Sequence, residues 1–266
     1  MSQNEVVLIT GANTGIGYQI VRAFASTDKA YNIIVAGRSP EKVHAAIDSI
    51  EAEFSSTKSK FSPLQVDIES DESISAAYEK VRSQFGRVDV LINNAGGEFD
   101  KLFAQGKMSQ RENWNKAWNL NVAGTQVMTY TFVPLLLQSS SPRLLFMASG
   151  TSTFADKAHA ASPVNQVAPK GWPKNVPSVA AYRSSKAGMN MMMREWWRLL
   201  QEDGVRVWCI SPGYLATGLG GVGAEKLRTM GAGDPEPAGH FVVSVVQGAR
   251  DADVGLVITK DGIQAW

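Results

Sequence analysis

Residues 6–17 read VVLITGANTGIG, an apolar run that passes directly into a glycine-spaced loop. Residues 6–9 are typical of a strand buried on both faces, while Gly11, Gly15 and Gly17 allow a backbone course that side chains would obstruct. A helix that begins here directs unpaired N–H groups and a positive dipole end at the loop, which is a site for phosphate. The T-G-x-x-x-G-x-G spacing suits one class of dinucleotide site, although a purely structural turn can carry the same glycines.

The composition is that of one large α/β domain with an ample core. The chain has 266 residues, 44% of them hydrophobic, and a formal net charge of +1. This balanced charge gives no reason to expect a nucleic acid or a membrane surface as a partner. Cys209 is the single cysteine, which excludes an internal disulfide, and His44, His159 and His240 are too scattered for a metal site. Because neither a basic, apolar leader nor a membrane-length apolar run is present, we expect a cytoplasmic protein.

Strand and helix patterns alternate along most of the chain. Apolar positions recur at helical spacing after Gly17, and Ser39 followed by Pro40 is a helix start with proline in the first turn. This alternation predicts a single Rossmann-like α/β domain over 1–266, a doubly wound parallel sheet of about seven strands flanked by helices. Right-handed crossovers place the carboxyl ends of the strands on one edge, where ligands bind. The predicted strands are 6–9, 32–36, 61–67, 88–93, 143–148, 205–211 and 255–259.

Two stretches depart from this alternation. Residues 98–113 are polar and irregular, and a long helix is predicted after them over 114–137. Residues 151–177 hold four prolines and no sustained period, which predicts an insertion or substrate lid within the domain. A helix is predicted next, over 180–203, and a glycine-rich segment reaches Asp234.

Tyr182 and Lys186 are four residues apart in YRSSK and therefore share one face of that helix. A positive charge close to a phenol favours the phenolate, so we expect Lys186 to lower the pKa of Tyr182 and make it a usable acid or base. Ser149 ends a predicted strand, so we expect it at the ligand-binding edge. A packed tyrosine beside a solvated lysine, and a serine that caps a turn, are plainer explanations. Ser149 lacks the G-x-S-x-G elbow of a serine hydrolase.

Taken together, the motifs resemble those of the classical short-chain dehydrogenase/reductase family, in the family's order and over about residues 5–262. They are the glycine loop, NNAG at 93–96, Asn121, Ser149, YRSSK at 182–186 and PGYLAT at 212–217. The resemblance implies that Ser149 polarises a substrate carbonyl and that Tyr182 exchanges the proton. It also implies that Lys186 tunes Tyr182 and holds the nicotinamide ribose, and that Asn121 positions a water in the proton relay. Both catalytic donors suit hydride addition, because negative charge builds on the carbonyl oxygen.

The same resemblance implies a set of cofactor contacts along the carboxyl edge of the sheet. These are Gly11, Asn13, Thr14, Gly15, Ile16, Gly17, Arg38, Ser39, Asp67, Ile68, Asn93, Asn94, Ala95, Gly96, Tyr182, Lys186, Pro212, Gly213, Leu215 and Thr217.

The charge after the second strand bears on which dinucleotide is bound. Where an NAD site places a carboxylate, about 20 residues beyond the glycines, the chain reads AGRS at 36–39. Arg38 offers a bidentate donor to a 2′-phosphate, and no carboxylate is there to repel it. We therefore predict NADP(H); an exposed Arg38 without this role is the alternative.

The interval between Ser149 and Tyr182 is unusually long for this family. It spans 33 positions, and with the PSVAAY lead-in and the LVITKDGIQAW tail it resembles the monomeric carbonyl reductase branch. An insertion folded across the helices of Asn121 and Tyr182 would block the contact through which the family usually dimerises. A monomer is therefore favoured, with a homodimer possible because the second helix is rich in methionine and tryptophan.

The predicted function is NADPH-dependent reduction of a bulky or aromatic ketone or aldehyde, a small-molecule carbonyl substrate, to an alcohol. Phe99, Trp172 and Tyr214 are the expected walls of the substrate cavity. One alternative is a specialised ketoreductase of secondary metabolism. Another is a nonreducing NADP-binding protein that serves as a sensor or as a template for cyclisation.

Overall fold

A single sheet organises the molecule. The structure, a computed structural model, describes residues 4–155, 163–174 and 176–265. Within these residues the strands are β1 Glu5–Ile9, β2 Tyr31–Gly37, β3 Lys60–Gln65, β4 Val90–Asn93, β5 Arg143–Met147, β6 Arg206–Ile210, β7 Val257–Thr259 and β8 Gly262–Ile263. They pair in the order β3-β2-β1-β4-β5-β6-β7-β8, parallel throughout except for the antiparallel β7–β8 hairpin. The predicted Rossmann-like parallel sheet is confirmed, and the two-residue β8 is too short to have been read from the sequence.

Helices cover both faces of the sheet. They are α1 Gly15–Ala25, α2 Pro40–Glu53, α3 Asp71–Phe85, α4 Asp100–Ala104, α5 Gln110–Trp118, α6 Thr125–Leu136, α7 Ala180–Leu200, α8 Ala224–Thr229 and α9 Glu236–Val246. One apolar core joins the sheet to α3, α6 and α7. The other core joins it to α1, α2 and α9. A strand with both faces covered must be apolar throughout. The continuous apolar run in β1 follows from its position between the two cores.

The predicted start of α2 is confirmed by its cap. Ser39 lies in extended conformation, its side chain accepts the N–H of Lys42, and Pro40 occupies the first turn. Proline has no N–H to lose there, and its fixed φ suits a helix start. The cap places Arg38 and Ser39 at the carboxyl end of β2.

Helix boundaries between β4 and α7 differ from the prediction. The stretch 98–113, expected to be irregular, contains α4 and the start of α5, which begins with a capping box formed by Ser109 and Glu112. The single helix expected over 114–137 is α5, a π-helical segment Asn119–Gly124 and α6. Few side chains of α5 are buried, so its apolar period is weak, and the capping box is the sequence signal that marks its start.

The glycine-rich stretch after β6, for which no helix was predicted, contains the short helix α8. The predicted insertion, residues 151–177, lies partly outside the described residues, at 156–162 and 175. Its described parts contain a 3₁₀ turn at Pro163–Asn165, and residues 151 and 152 belong to another, Gly150–Ser152. That this insertion acts as a lid stays a prediction.

Candidate active site

The predicted site residues gather at the carboxyl ends of β1, β4, β5 and β6. The strand order reverses at β1, which pairs with both β2 and β4. At such a switch point neighbouring connections leave the sheet on opposite faces and open a crevice. The glycine loop follows β1 and NNAG begins in β4, so the two motifs border this crevice.

The glycine loop is held against the turn after β4. Gly11 has φ +61°, and a Cβ at this position would lie 3.0 Å from the Cα of Ala95. A Cβ on Gly17 would lie 2.4 Å from the carbonyl oxygen of Gly11 and 2.5 Å from Nδ2 of Asn94. The Asn94 amide donates to the carbonyls of Thr10 (2.8 Å) and Gly11 (3.1 Å). Only glycine fits at Gly11 and Gly17, and the hydrogen bonds of Asn94 hold the loop to the turn after β4.

The start of α1 is open to a ligand. Thr14 occupies the N-cap position, yet its side chain makes no cap hydrogen bond, and the first turn carries no acidic residue. Unpaired N–H groups at a helix start attract phosphate. Beside this turn, Thr217 approaches Gly15, whose added Cβ would lie 3.6 Å from the threonine Cβ. These residues fit the pyrophosphate of a dinucleotide.

Ser149 is both a turn cap and a neighbour of Tyr182. Its Oγ accepts the N–H of Thr151 at 3.2 Å and lies 2.9 Å from Oγ1 of the same residue. Its backbone carbonyl accepts the hydroxyl of Ser152 at 2.6 Å. The Ser149 side chain lies close enough to the Tyr182 phenol to favour the phenolate. The structure therefore brings the two predicted catalytic hydroxyls together.

Asn121 lies in the π-helical segment and is completely buried. Its side chain accepts the N–H of Gly97 and donates to the carbonyl of the same residue, both at 2.9 Å. It also donates to Oγ of Ser185 at 2.9 Å. These bonds fasten the stretch after β4 to α7. The predicted role in a water relay is not tested by these contacts and stays a prediction.

Lys186 points into the protein beneath the crevice. Its ammonium donates to the carbonyl of Met147 at 2.7 Å and lies 5.9 Å from the ring centroid of Tyr182. Burial disfavours the ammonium and lowers the pKa of Lys186 to about 8, against a smaller opposing effect of Cys209.

The prediction that Lys186 lowers the pKa of Tyr182 is wrong for this structure. The pKa of Tyr182 is raised, chiefly because burial disfavours the phenolate. The neighbouring Ser149 side chain acts in the opposite direction, and the negative charge of Glu98 adds to the rise. The spacing on the helix was right, but the ammonium is directed to the carbonyl of Met147 instead of the phenol.

Comparison with known proteins gives the chain its family. A sequence model described as "short chain dehydrogenase" matches residues 5–162 and 156–226. The chain belongs to the short-chain dehydrogenase/reductase family. It is 42% identical to short-chain dehydrogenase/reductase eupG of a Phoma species over 98% of this chain and 97% of that one. It is 40% identical to short-chain dehydrogenase/reductase tropE of Talaromyces stipitatus, again over 98% and 97%.

A solved structure agrees in fold. The crystal structure of a variant of actinorhodin polyketide ketoreductase with NADPH superimposes with a TM-score of 0.74 at 21% sequence identity. The match covers 98% of this chain and 97% of that one.

Arg38 and Ser39 directly follow the carboxyl end of β2. The Arg38 side chain is 69% exposed, and its nearest acidic partner is Oε2 of Glu69 at 3.9 Å. Ser39 is engaged as the cap of α2. Asn13 lies close to the same strand end, because a Cβ on Gly37 would lie 2.7 Å from its Oδ1. Arg38 is thus available to an anion.

Several predicted cofactor residues have structural partners of their own. Asp67 accepts the N–H of Glu69 at 3.0 Å, and Asn93 is buried with its amide donating to Thr129 at 3.0 Å. Ile68 is buried, and its carbonyl is so close to Gly124 that an added Cβ would lie 2.2 Å away. The direct contact of these three residues with a cofactor stays a prediction.

The segment after β6 forms the opposite wall. Pro212 is half-buried, and Gly213 is exposed with φ +97°. Leu215 pairs with Gly233 in an isolated β-bridge. The Thr217 hydroxyl accepts the N–H of Leu219 at 3.3 Å. Ile16 packs against the core that contains α1.

Some residues that build the site were missed from the sequence. Thr10 Oγ1 accepts the N–H groups of Asn94 and Ala95, both at 3.0 Å, and so joins the ends of β1 and β4. The Arg183 guanidinium, next to Tyr182, donates to the carbonyls of Thr151 (3.0 Å) and Val164 (3.1 Å). Threonine before the first glycine was a readable signal, whereas nothing local marked the arginine.

The carboxylate of Glu98 was also missed. It lies close to Gly220, where an added Cβ would be 2.3 Å from its Oε2, and it accepts the N–H of Lys101 at 3.3 Å. Burial raises the pKa of Glu98, and the neighbouring Asp100 adds to the rise. Of the expected cavity walls, Phe99 packs its ring against Gly97, while Trp172 and Tyr214 are exposed.

Among the residues that the structure describes, no group of three or more metal-ligating side chains is found. In the same part of the chain, no helix is long and apolar enough to cross a membrane.

Proposed function

We propose that this protein is an NADPH-dependent reductase of ketones or aldehydes. The observation that carries the proposal is the pair of neighbouring hydroxyls, Ser149 and Tyr182, beside a glycine loop with an open helix start. Two neighbouring hydroxyl donors suit a carbonyl oxygen on which charge develops. Bound NADPH supplies the hydride.

The choice of NADP(H) rests on Arg38. Its guanidinium is exposed at the end of β2, and its contact with the Glu69 carboxylate is long, at 3.9 Å. A 2′-phosphate can therefore replace that contact. The actinorhodin polyketide ketoreductase variant, a protein of the same fold, was crystallised with NADPH.

The raised pKa of Tyr182 suits reduction. A phenol that stays protonated at neutral pH can give its proton to the developing alkoxide. Ser149 then stabilises the charge on the same oxygen through its hydroxyl. Lys186, held by the carbonyl of Met147, would bind the ribose of the cofactor and keep positive charge beneath the phenol. Asn121 fixes the backbone on which the cofactor would lie.

The test is a comparison of wild type with Tyr182→Phe. Oxidation of NADPH is followed by absorbance against a panel of quinones, aromatic aldehydes, diketones and polycyclic ketones. We expect NADPH binding to be retained and reduction to fall at least about 100-fold in Tyr182→Phe, because general acid catalysis contributes that much. Undiminished activity in the variant would contradict the mechanism. Tight NADPH binding by the wild type without turnover of any substrate would favour the nonreducing sensor or template.

A specialised polycyclic ketoreductase is the second candidate. Its fold is one that actinorhodin polyketide ketoreductase also has, at 21% sequence identity. Turnover confined to polycyclic ketones would select it over a general carbonyl reductase. The monomeric carbonyl reductase branch, the monomeric state and the lid are parts of the proposal that rest on the long interval between Ser149 and Tyr182.

A further inference from the structure

The helix that carries Tyr182 has no cap of its own. Val179 occupies the N-cap position of α7, and its side chain makes no cap hydrogen bond. The N–H groups of the second and third helical residues, Ala181 and Tyr182, normally bond to the N-cap side chain. In α7 they are satisfied from elsewhere in the chain.

Asp100, the first residue of α4, supplies the missing cap. Its Oδ1 accepts the N–H of Ala181 at 3.1 Å and its Oδ2 accepts the N–H of Tyr182 at 3.0 Å. The side-chain amide of Asn113 in α5 donates to Oδ1 at 3.0 Å and so orients the carboxylate. Asp100 is 5% exposed and Asn113 is 1% exposed. A buried carboxylate needs such donors, and the positive end of a 21-residue helix also favours its charge.

The backbone of Tyr182 is therefore bonded on both sides. Asp100 accepts its N–H, and its carbonyl accepts the hydroxyl of Ser185 at 2.8 Å. Ser185 in turn accepts the amide of Asn121, which holds Gly97. The short stretch from Gly97 to Asp100 is thus tied to the first turns of α7 at both of its ends.

We propose that Asp100, oriented by Asn113, is a positioning residue for Tyr182. The stretch before α7 follows the proline-rich insertion, and its N-cap residue Val179 offers no side-chain cap to hold the first turn. The carboxylate fixes that turn to the segment after β4, on which the cofactor would lie. Because a displacement of about 1 Å at a reacting group can cost on the order of 100-fold in rate, a loose first turn would lower kcat. This role rests on the proposed reductase function.

The experiment compares wild type with Asp100→Ala, Asp100→Asn and Asn113→Ala. Ser109→Ala is the matched control, because it removes the capping box of neighbouring α5 and leaves the bonds to Tyr182 intact. The kcat is expressed per NADPH-binding site, counted by fluorescence titration. A merely structural role would reduce the number of sites without changing kcat per site.

We expect Asp100→Ala to lower kcat per site by at least about 30-fold, with the dissociation constant of NADPH changed less than about threefold. Asp100→Asn should fall between wild type and Asp100→Ala, since its amide oxygen can accept one N–H while its NH₂ group faces the other. Asn113→Ala keeps the carboxylate and should lower kcat less; it carries the test if Asp100→Ala does not fold. The inference would be overturned if Asp100→Ala kept a kcat per site within twofold of wild type. It would also be overturned if Ser109→Ala lost as much kcat per site as Asp100→Ala.

Amide hydrogen exchange tests the same inference without turnover. Asp100→Ala should accelerate exchange over residues 180–184, and Ser109→Ala should accelerate it only at the start of α5. Unchanged exchange over 180–184 would refute the cap. If the wild type reduces no carbonyl, the proposed function fails while exchange still decides whether Asp100 holds the turn of Tyr182.

Discussion

Replacing Arg38 should change the affinity for NADPH without changing the affinity for NADH. Only NADPH carries the 2′-phosphate, so loss of the guanidinium should weaken NADPH binding and leave NADH binding unchanged. Arg38 follows β2, its side chain is 69% exposed, and its contact with Glu69 at 3.9 Å is too long for a strong ion pair. Binding of a phosphate therefore displaces little that is favourable.

The size of the effect follows from the exposure of Arg38. Hydrogen bonds to charged groups are worth about 1.5–3 kcal/mol, and solvent screening at this exposed side chain favours the lower end. At about 1.4 kcal/mol for each factor of ten, Arg38→Ala should raise the NADPH dissociation constant roughly 10-fold to 30-fold. Arg38→Glu adds repulsion between two negative charges and should raise it roughly 100-fold.

Fluorescence titration and steady-state KM values for both dinucleotides measure the difference. Arg82→Glu is a suitable control, because it makes the same charge change at an exposed position of α3. Glu69→Gln should act in the opposite direction and tighten NADPH binding, and added salt should narrow the gap between wild type and Arg38→Ala. If Arg38→Ala weakened NADPH and NADH equally, the reasoning about the 2′-phosphate would be refuted.

Three further predictions concern the crevice. Glu98→Gln should lower the pKa of Tyr182, because the negative charge of Glu98 raises it. The fall in kcat at alkaline pH should therefore move to lower pH. An unchanged pH profile would contradict the effect of Glu98 on Tyr182. Gly17→Ala should abolish NADPH binding in a titration, since its Cβ would lie 2.4 Å from the carbonyl of Gly11, whereas Gly218→Ala, with no described atom within 4 Å, should bind normally. Burial lowers the pKa of Lys186 from 10.5 to about 8, so between these pH values the unfolded chain holds a proton that the folded protein has released. The free energy of unfolding of wild type relative to Lys186→Met should therefore rise from pH 8 to 10.5, by up to about 3 kcal/mol in urea denaturation, and a constant difference would contradict the shift.

Regular elements with strong local signals could be predicted from the sequence. The apolar run of β1, the serine and proline at the start of α2 and the alternation of elements each depend on neighbouring residues, and each agrees with the structure. Elements with weaker signals were missed in part: α5 begins at Gln110, before the helix predicted over 114–137. Helix α5 buries little apolar surface, and the π-helical segment Asn119–Gly124 continues the helical pattern with one wider turn that no apolar period reveals.

The site residues also divide into those with a local sequence signal and those without one. Glycine positions could be predicted because backbone conformation and close approach leave no other residue type, as at Gly11 and Gly17. Asp100 could not be predicted, since its partners Ala181 and Tyr182 are more than 80 positions away and contribute only backbone N–H groups. No side-chain pattern in a single sequence marks a contact of that kind.

The pKa of Tyr182 shows why spacing alone does not determine chemistry. Four residues of helix place Lys186 on the correct face, but the direction of its ammonium depends on the carbonyl at the end of β5, a strand from another part of the chain. Once that carbonyl accepts the ammonium, burial dominates and raises the pKa of the phenol. The consequence is directional: a protonated phenol beside the hydroxyl of Ser149 is prepared to donate to an alkoxide, whereas oxidation of an alcohol requires the phenolate that this environment disfavours. In the proposed reductase, carbonyl reduction should therefore be favoured at neutral pH, and alcohol oxidation should become measurable only as the pH rises.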